Sequence, residues 1–113
     1  MKTQSCKAKG RRLQQWFRDK LIEILGIDPQ DIESRSMGAS GEDIMLSKEA
    51  RERFPYSVEC KNVERVNIWE AYEQACNNCK EKYKPLLVIK RNHKDPLVVL
   101  DAEDFLYMWL WKQ

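Results

Sequence analysis

The chain has 113 residues, 42% hydrophobic and 34% charged, with a net charge of +2. That is enough for one domain with a real core and too little for two, and the apolar content argues against global disorder. No apolar run approaches membrane-spanning length, so no membrane partner is expected, and the N-terminus lacks the apolar stretch of an export signal. Four cysteines at uneven spacing then suggest reduced thiols in a cytoplasmic setting.

Residues 1–12 carry five basic side chains (Lys2, Lys7, Lys9, Arg11, Arg12) and no acidic one. Such an arm can neutralise phosphates and release counterions, or simply solubilise the chain. Leu13, Trp16, Phe17, Leu21, Ile24 and Leu25 recur at helical spacing and stop at Gly26, a C-cap residue. Residues 31–35 read as a short strand. Gly38 and Gly41 mark a turn that feeds a second strand, with Ile44 and Leu46 on one face and Asp43 and Met45 on the other. The segment 47–54 has room for one or two helical turns. In 55–62, Tyr56, Val58 and Cys60 alternate with Ser57, Glu59 and Lys61, which predicts a strand with one apolar and one polar face.

Asn67 is an N-cap candidate for a helix over 68–82. Trp69, Tyr72, Cys76, Cys79 and Tyr83 fall within about 80° of one another on it, an apolar stripe expected to face the core. Gln74 lies on the other side with Ala71, Ala75 and Asn78. That small-residue face would let the helix approach a sheet closely, so sequence alone leaves open which face meets the sheet. Two strands follow, over 85–91 and 97–100, and Asp101 caps a last helix carrying Phe105, Leu106, Trp109 and Leu110. The order αβββαββα suits a small α/β domain with a mixed sheet.

Chemistry concentrates at Asp43 and at Glu59-Cys60-Lys61. If the two central strands pair, Asp43 comes near Glu59, whose side chain projects with Lys61. Two carboxylates beside a lysine can hold a divalent cation and position a water, the minimum equipment for hydrolysing a phosphodiester. Glu-X-Lys triplets are also ordinary on solvated faces, and an aspartate often only polarises a turn. Cys76-X-X-Cys79 has zinc spacing, but Cys6, Cys60 and His93 are scattered, and buried cysteines on a core stripe explain it better. His93 is the only histidine. Ser40 and Ser57 have no histidine nearby in sequence to activate them, and no phosphate-binding glycine motif is present.

The order Asp43, Glu59-Cys60-Lys61, then a helix carrying Gln74, resembles the PD-(D/E)XK nuclease superfamily, above all its small Holliday-junction-resolvase-like members, including short phage endonucleases. The stretches 36–43 and 54–62 carry most of the likeness, which spans roughly Lys9 to Phe105. It implies a single restriction-endonuclease-like domain over 13–113 behind the basic arm, with a central mixed sheet flanked by helices. It further implies Mg²⁺ or Mn²⁺ on Asp43, Glu59 and the Cys60 backbone carbonyl, Lys61 as a catalytic lysine, and Gln74 as an organiser of the site or, equally, a solvent-facing residue. DNA is the implied partner, contacted by Lys7, Lys9, Arg11, Arg12 and Gln14, in bacterial or phage-infected host cytosol. A homodimer through Tyr107, Trp109 and Trp111 would suit cutting of branched DNA. Gln14 stands where resolvase-like members carry a first-helix glutamate, and Glu42 where proline is common. That departure keeps open an inactive nuclease-fold DNA-binding module, and the aromatic C-terminus a protein-interaction domain.

Overall fold

The computed structural model describes residues 2–34 and 41–110, so Arg35, the 37–40 part of the expected turn, and Trp111 lie outside the described residues. Helix α1 (Lys2–Leu25) leads through a short 3-10 turn (Pro29–Asp31) to strands β1 (Ile32–Ser34) and β2 (Ile44–Leu46) and helix α2 (Lys48–Arg53). Strand β3 (Tyr56–Asn62), helix α3 (Ile68–Asn78), strands β4 (Lys84–Lys90) and β5 (Leu97–Val99), and helix α4 (Ala102–Leu110) follow. This is the expected α/β order.

Strand β3 runs parallel to β4, with Glu59 opposite Leu87, and β5 runs antiparallel to β4, with Val98 opposite Val88. Strands β1 and β2 form a separate antiparallel ribbon. One backbone bond, Asp43 N–H to the Val58 carbonyl at 3.0 Å, ties the head of β2 to β3. Helix α1 covers the Tyr56, Val58 and Cys60 face of β3, and a core of Leu13, Leu21, Ile27, Ile32, Ile44, Val58, Leu86 and Val88 fills the space between. Each such aliphatic side chain contributes about 1.5–3 kcal/mol by leaving water. Strand β4 is buried on both faces, as its unbroken apolar run implies: Leu87 and Val88 are both 0% exposed.

Local signals place the helix ends. Gly26 takes φ 71° and closes α1 through its N–H to the Ile22 carbonyl. Ser47, Asn67 and Asp101 accept backbone N–H groups at the heads of α2, α3 and α4.

Three expectations differ. The basic segment 1–12 is not a loose arm: from Lys2 on it is the first half of α1. Its Lys, Gln and Ala residues are strong helix formers, and the Lys9 carbonyl accepts the Asn62 side-chain amide at 2.9 Å. Helix α3 ends at Asn78, not 82, because the Lys80 N–H leaves the helix to bond Ser57 Oγ at 3.2 Å. The buried face of α3 is also the small one. Ala71 and Ala75 are buried, while Trp69 is 85% exposed and Cys76 is exposed. Small side chains let the helix axis approach β3 and β4 closely, which a tryptophan in that seam would prevent. Enlarging Ala75 to leucine should therefore destabilise the fold by about 1–3 kcal/mol through overpacking. Trp69→Ala should stay within about 0.5 kcal/mol of the parent. Urea unfolding of the two variants, compared directly, checks the assignment.

Candidate active site

The site grows from the two acidic residues that open β2. Gly41 precedes them with φ 93°, a conformation that favours glycine. Glu42 is 3% exposed and both its oxygens are engaged: Arg51 Nη2 donates to Oε1 at 2.6 Å and Ser57 Oγ donates to Oε2 at 2.5 Å. The Arg51 guanidinium comes from α2, bonds the Leu46 carbonyl through Nε, and stacks 4.5 Å from the Tyr83 ring centroid. Lys80 Nζ lies 3.9 Å from Glu42 Oε1. This buried ion pair draws β2, α2 and β3 together.

Asp43 then faces β3. Its N–H reaches the Val58 carbonyl, and its Oδ2 accepts the Cys60 N–H at 2.7 Å. The carboxylate thus stands where a ladder carbonyl would otherwise be. The Glu59 side chain is on the α3 face of β3 and is 4% exposed, with Oε1 accepting the Asn78 amide at 3.2 Å and Oε2 lying 3.9 Å from Lys61 Nζ. Burial, and next the negative charge of Asp43, raise the Glu59 pKa above the ordinary carboxylate value, with Asn78 and Lys61 partly offsetting them. The two carboxylates are therefore close enough to repel each other. Cys60 projects to the α1 face, 7% exposed, and burial together with both carboxylates pushes its thiol well above its usual pKa. It is a neutral core side chain, neither a thiolate ligand nor a nucleophile.

With this arrangement in view, a family comparison decides the lineage. The model of the family described as "phage putative PDDEXK endonuclease" matches residues 5–113. The chain belongs to that family. Neither the curated proteins nor the solved structures yield a match. The mixed sheet between helices fits the PDDEXK fold.

The structure gathers some of the expected residues and leaves others apart. Asp43, Glu59 and Lys61 come together, and the N–H of Cys60 points to their edge of β3. Gln74 is exposed on α3, and it is Asn78, one turn further on, that touches Glu59. The sequence held a signal for Asn78, since it shares the Ala71 and Ala75 face at i+7 and i+3. Gln14 is 2% exposed within α1. Glu42 is committed to Arg51 and Ser57, so it does not substitute for a first-helix acid. Lys7 and Arg11 are exposed on α1, and Lys9 and Arg12 line a groove beside Asn62. Among the described residues no group of three or more His, Cys, Asp or Glu side chains is arranged to hold a metal ion.

The raised Glu59 pKa carries a stability cost with a definite sign. A carboxyl that binds its proton more tightly when folded contributes most below its unfolded pKa, and that contribution is lost as pH rises through the folded value. Glu59→Gln should therefore raise the thermal midpoint at pH 7–8, and the gain should fade as pH falls below about 4. Unfolding curves of both proteins across that range test this. An equal gain at every pH would mean that charge is not the cause.

Proposed function

We propose that the chain is a divalent-metal-dependent DNA endonuclease whose catalytic residues are Asp43, Glu59 and Lys61. The observation that carries this reading is the 2.7 Å bond from the Cys60 N–H to Asp43, which holds that carboxylate close enough to Glu59 to raise its pKa while Lys61 lies 3.9 Å away. The donor chemistry fits a hard cation. Two carboxylates that repel each other gain by sharing Mg²⁺ or Mn²⁺, and such ions accept one or two carboxylates and keep several waters. A strand residue sends its N–H and C=O to the same edge, so the Cys60 carbonyl falls on the Asp43 side and would be a further oxygen ligand.

When bound, the cation would supply Lewis-acid stabilisation of the scissile phosphate and an acidified water. The chain's own residues do the rest. Lys61 orients the attacking water or meets the growing negative charge on the phosphate. Asn78 fixes the Glu59 carboxylate, and the clamp at Glu42 fixes Asp43. Gln74, on the exposed side of α3, is proposed only as a contact to substrate. Lys7, Lys9, Arg11 and Arg12 on α1 supply positive charge for the DNA backbone. No described helix is long and apolar enough to cross a membrane.

Selectivity for branched DNA is the finer part of the proposal. It would draw on a homodimer with two-fold symmetry, and α4 offers an apolar face in Phe105, Leu106, Tyr107, Trp109 and Leu110, each 44–63% exposed. A second reading, a nuclease-fold DNA-binding module without catalysis, is favoured by the amide of Gln14 at the first-helix acid position and by Glu42 being tied up elsewhere.

Cleavage of a four-way junction, a flap and a matched linear duplex in Mg²⁺, Mn²⁺ or EDTA separates the two. Asp43→Asn and Lys61→Ala should each lower metal-dependent cutting by about 10²-fold or more, with unfolding midpoints retained. Full activity in either variant would remove the site assignment. No cutting by the parent, with DNA binding indifferent to metal, would favour the inactive module. Mg²⁺ should also raise the thermal midpoint of the parent but not of Asp43→Asn, because only a site that binds the ion in the folded state gains from it.

A further inference from the structure

Across the sheet from the Glu59 and Lys61 side chains, the carboxyl ends of β3 and β4 open into a groove of about 600 Å³ between α1 and the β4–β5 turn. Its lining includes Lys9, Arg12, Lys90 and Lys94 against one acid, Asp95, so it is built for an anion. Trp16 lines the same groove with 41% of its surface exposed. Asn62, the residue after Lys61, forms part of the wall. It is 7% exposed, its amide N–H is held by the Lys9 carbonyl, and its Oδ1 has no hydrogen-bond partner among the described residues.

The walls are fixed in advance. Glu64 accepts the Asn92 N–H at 2.7 Å and pairs with Lys9 Nζ at 3.5 Å, which joins the turn to α1. His93 takes φ 64° at the apex of that turn, and the Lys94 N–H closes it on the Arg91 carbonyl. Lys9 is thus partly neutralised, whereas Arg12 and Lys94 make no ion pair among the described residues.

Two features converge on one ligand chemistry. Cations lining the groove suit phosphates, and an exposed indole suits a base face. Duplex DNA offers only the first, because its bases are stacked and paired. An unpaired nucleotide offers both. We infer that the groove between α1 and the 91–96 turn is a binding subsite for an unpaired nucleotide of the DNA substrate. This rests on the nuclease reading for the word substrate, but the groove and its chemistry stand apart from the acidic pair. Because Asn62 follows Lys61 directly on β3, a strand leaving the catalytic edge as a single-stranded tail or branch reaches the groove around the end of the sheet. The protein then favours substrates in which paired and unpaired DNA adjoin.

The test is equilibrium binding in EDTA, read by fluorescence anisotropy, of a blunt duplex and of the same duplex with a short single-stranded tail. The parent should prefer the tailed DNA by roughly tenfold or more, the scale of one base–aromatic stack. Trp16→Ala and Lys94→Gln should each erase most of that preference, and Trp16→Phe should keep it. No preference in the parent, or a preference unchanged in both variants, overturns the inference. Cutting is scored separately in Mg²⁺ with Lys61→Ala as control. A parent that prefers tails yet cuts nothing would sink the nuclease reading and leave the subsite standing. A parent that cuts without preferring tails would do the reverse.

Discussion

The ion pair between Glu42 and Arg51 is the contact on which the site depends. It is buried on both sides, 3% and 5% exposed, and it joins the head of β2, the helix α2 and, through Ser57, the middle of β3. Burying two charges is expensive, and an apolar substitute of the same volume would often be at least as stable. What the pair supplies here is position. Glu42 and Asp43 are consecutive, so fixing the first against β3 leaves the second no choice but the Cys60 N–H. Among the described residues one backbone bond, from Asp43 to Val58, otherwise links the β1–β2 ribbon to the main sheet across this seam. With the clamp, Asp43 is held from its neighbour in the chain as well as by its own bonds to Val58 and Cys60.

The acidic pair that results is held against its own electrostatics. Burial and the Asp43 charge both oppose ionisation of Glu59, and the protein answers with one neutral donor, Asn78, and one cation at 3.9 Å, Lys61. That balance leaves the pair short of positive charge. The small face of α3 belongs to the same arrangement. Ala71 and Ala75 bring the helix close enough for Asn78 to reach Glu59, and a bulkier seam would hold it away. Packing, charge and function meet in those few residues.

The opposite face of β3 is conventional core, and it too shapes function. Tyr56, Val58 and Cys60 lie under α1, whose length is set by helix-forming residues that run to Lys2. Because the basic segment is part of that helix, Lys9 and Arg12 are carried at fixed positions beside Asn62 instead of sampling space at the end of a tether. A preorganised cationic groove loses less entropy on binding than a loose arm would.

The sequence by itself determined the order of elements, the caps at Gly26, Asn67 and Asp101, and the two-faced burial of β4, because each follows from local periodicity or from one residue's backbone preference. It also placed Glu59 and Lys61 on one face of β3, since alternation along a strand does so whatever packs there. Tertiary structure alone decided which side of α3 is buried, since Trp69 and Ala71 compete for the sheet and only the shape of the seam favours alanine. It alone chose Asn78 over Gln74 as the partner of Glu59, fixed Glu42 as a structural anion, and set the basic half of α1 beside Asn62. Each of those outcomes depends on a residue far away in the chain: Ser57 for Glu42, Asn62 for Lys9, Glu59 for Asn78. Periodicity reports what a segment prefers, whereas the partner across a strand or helix is set by where the backbone returns.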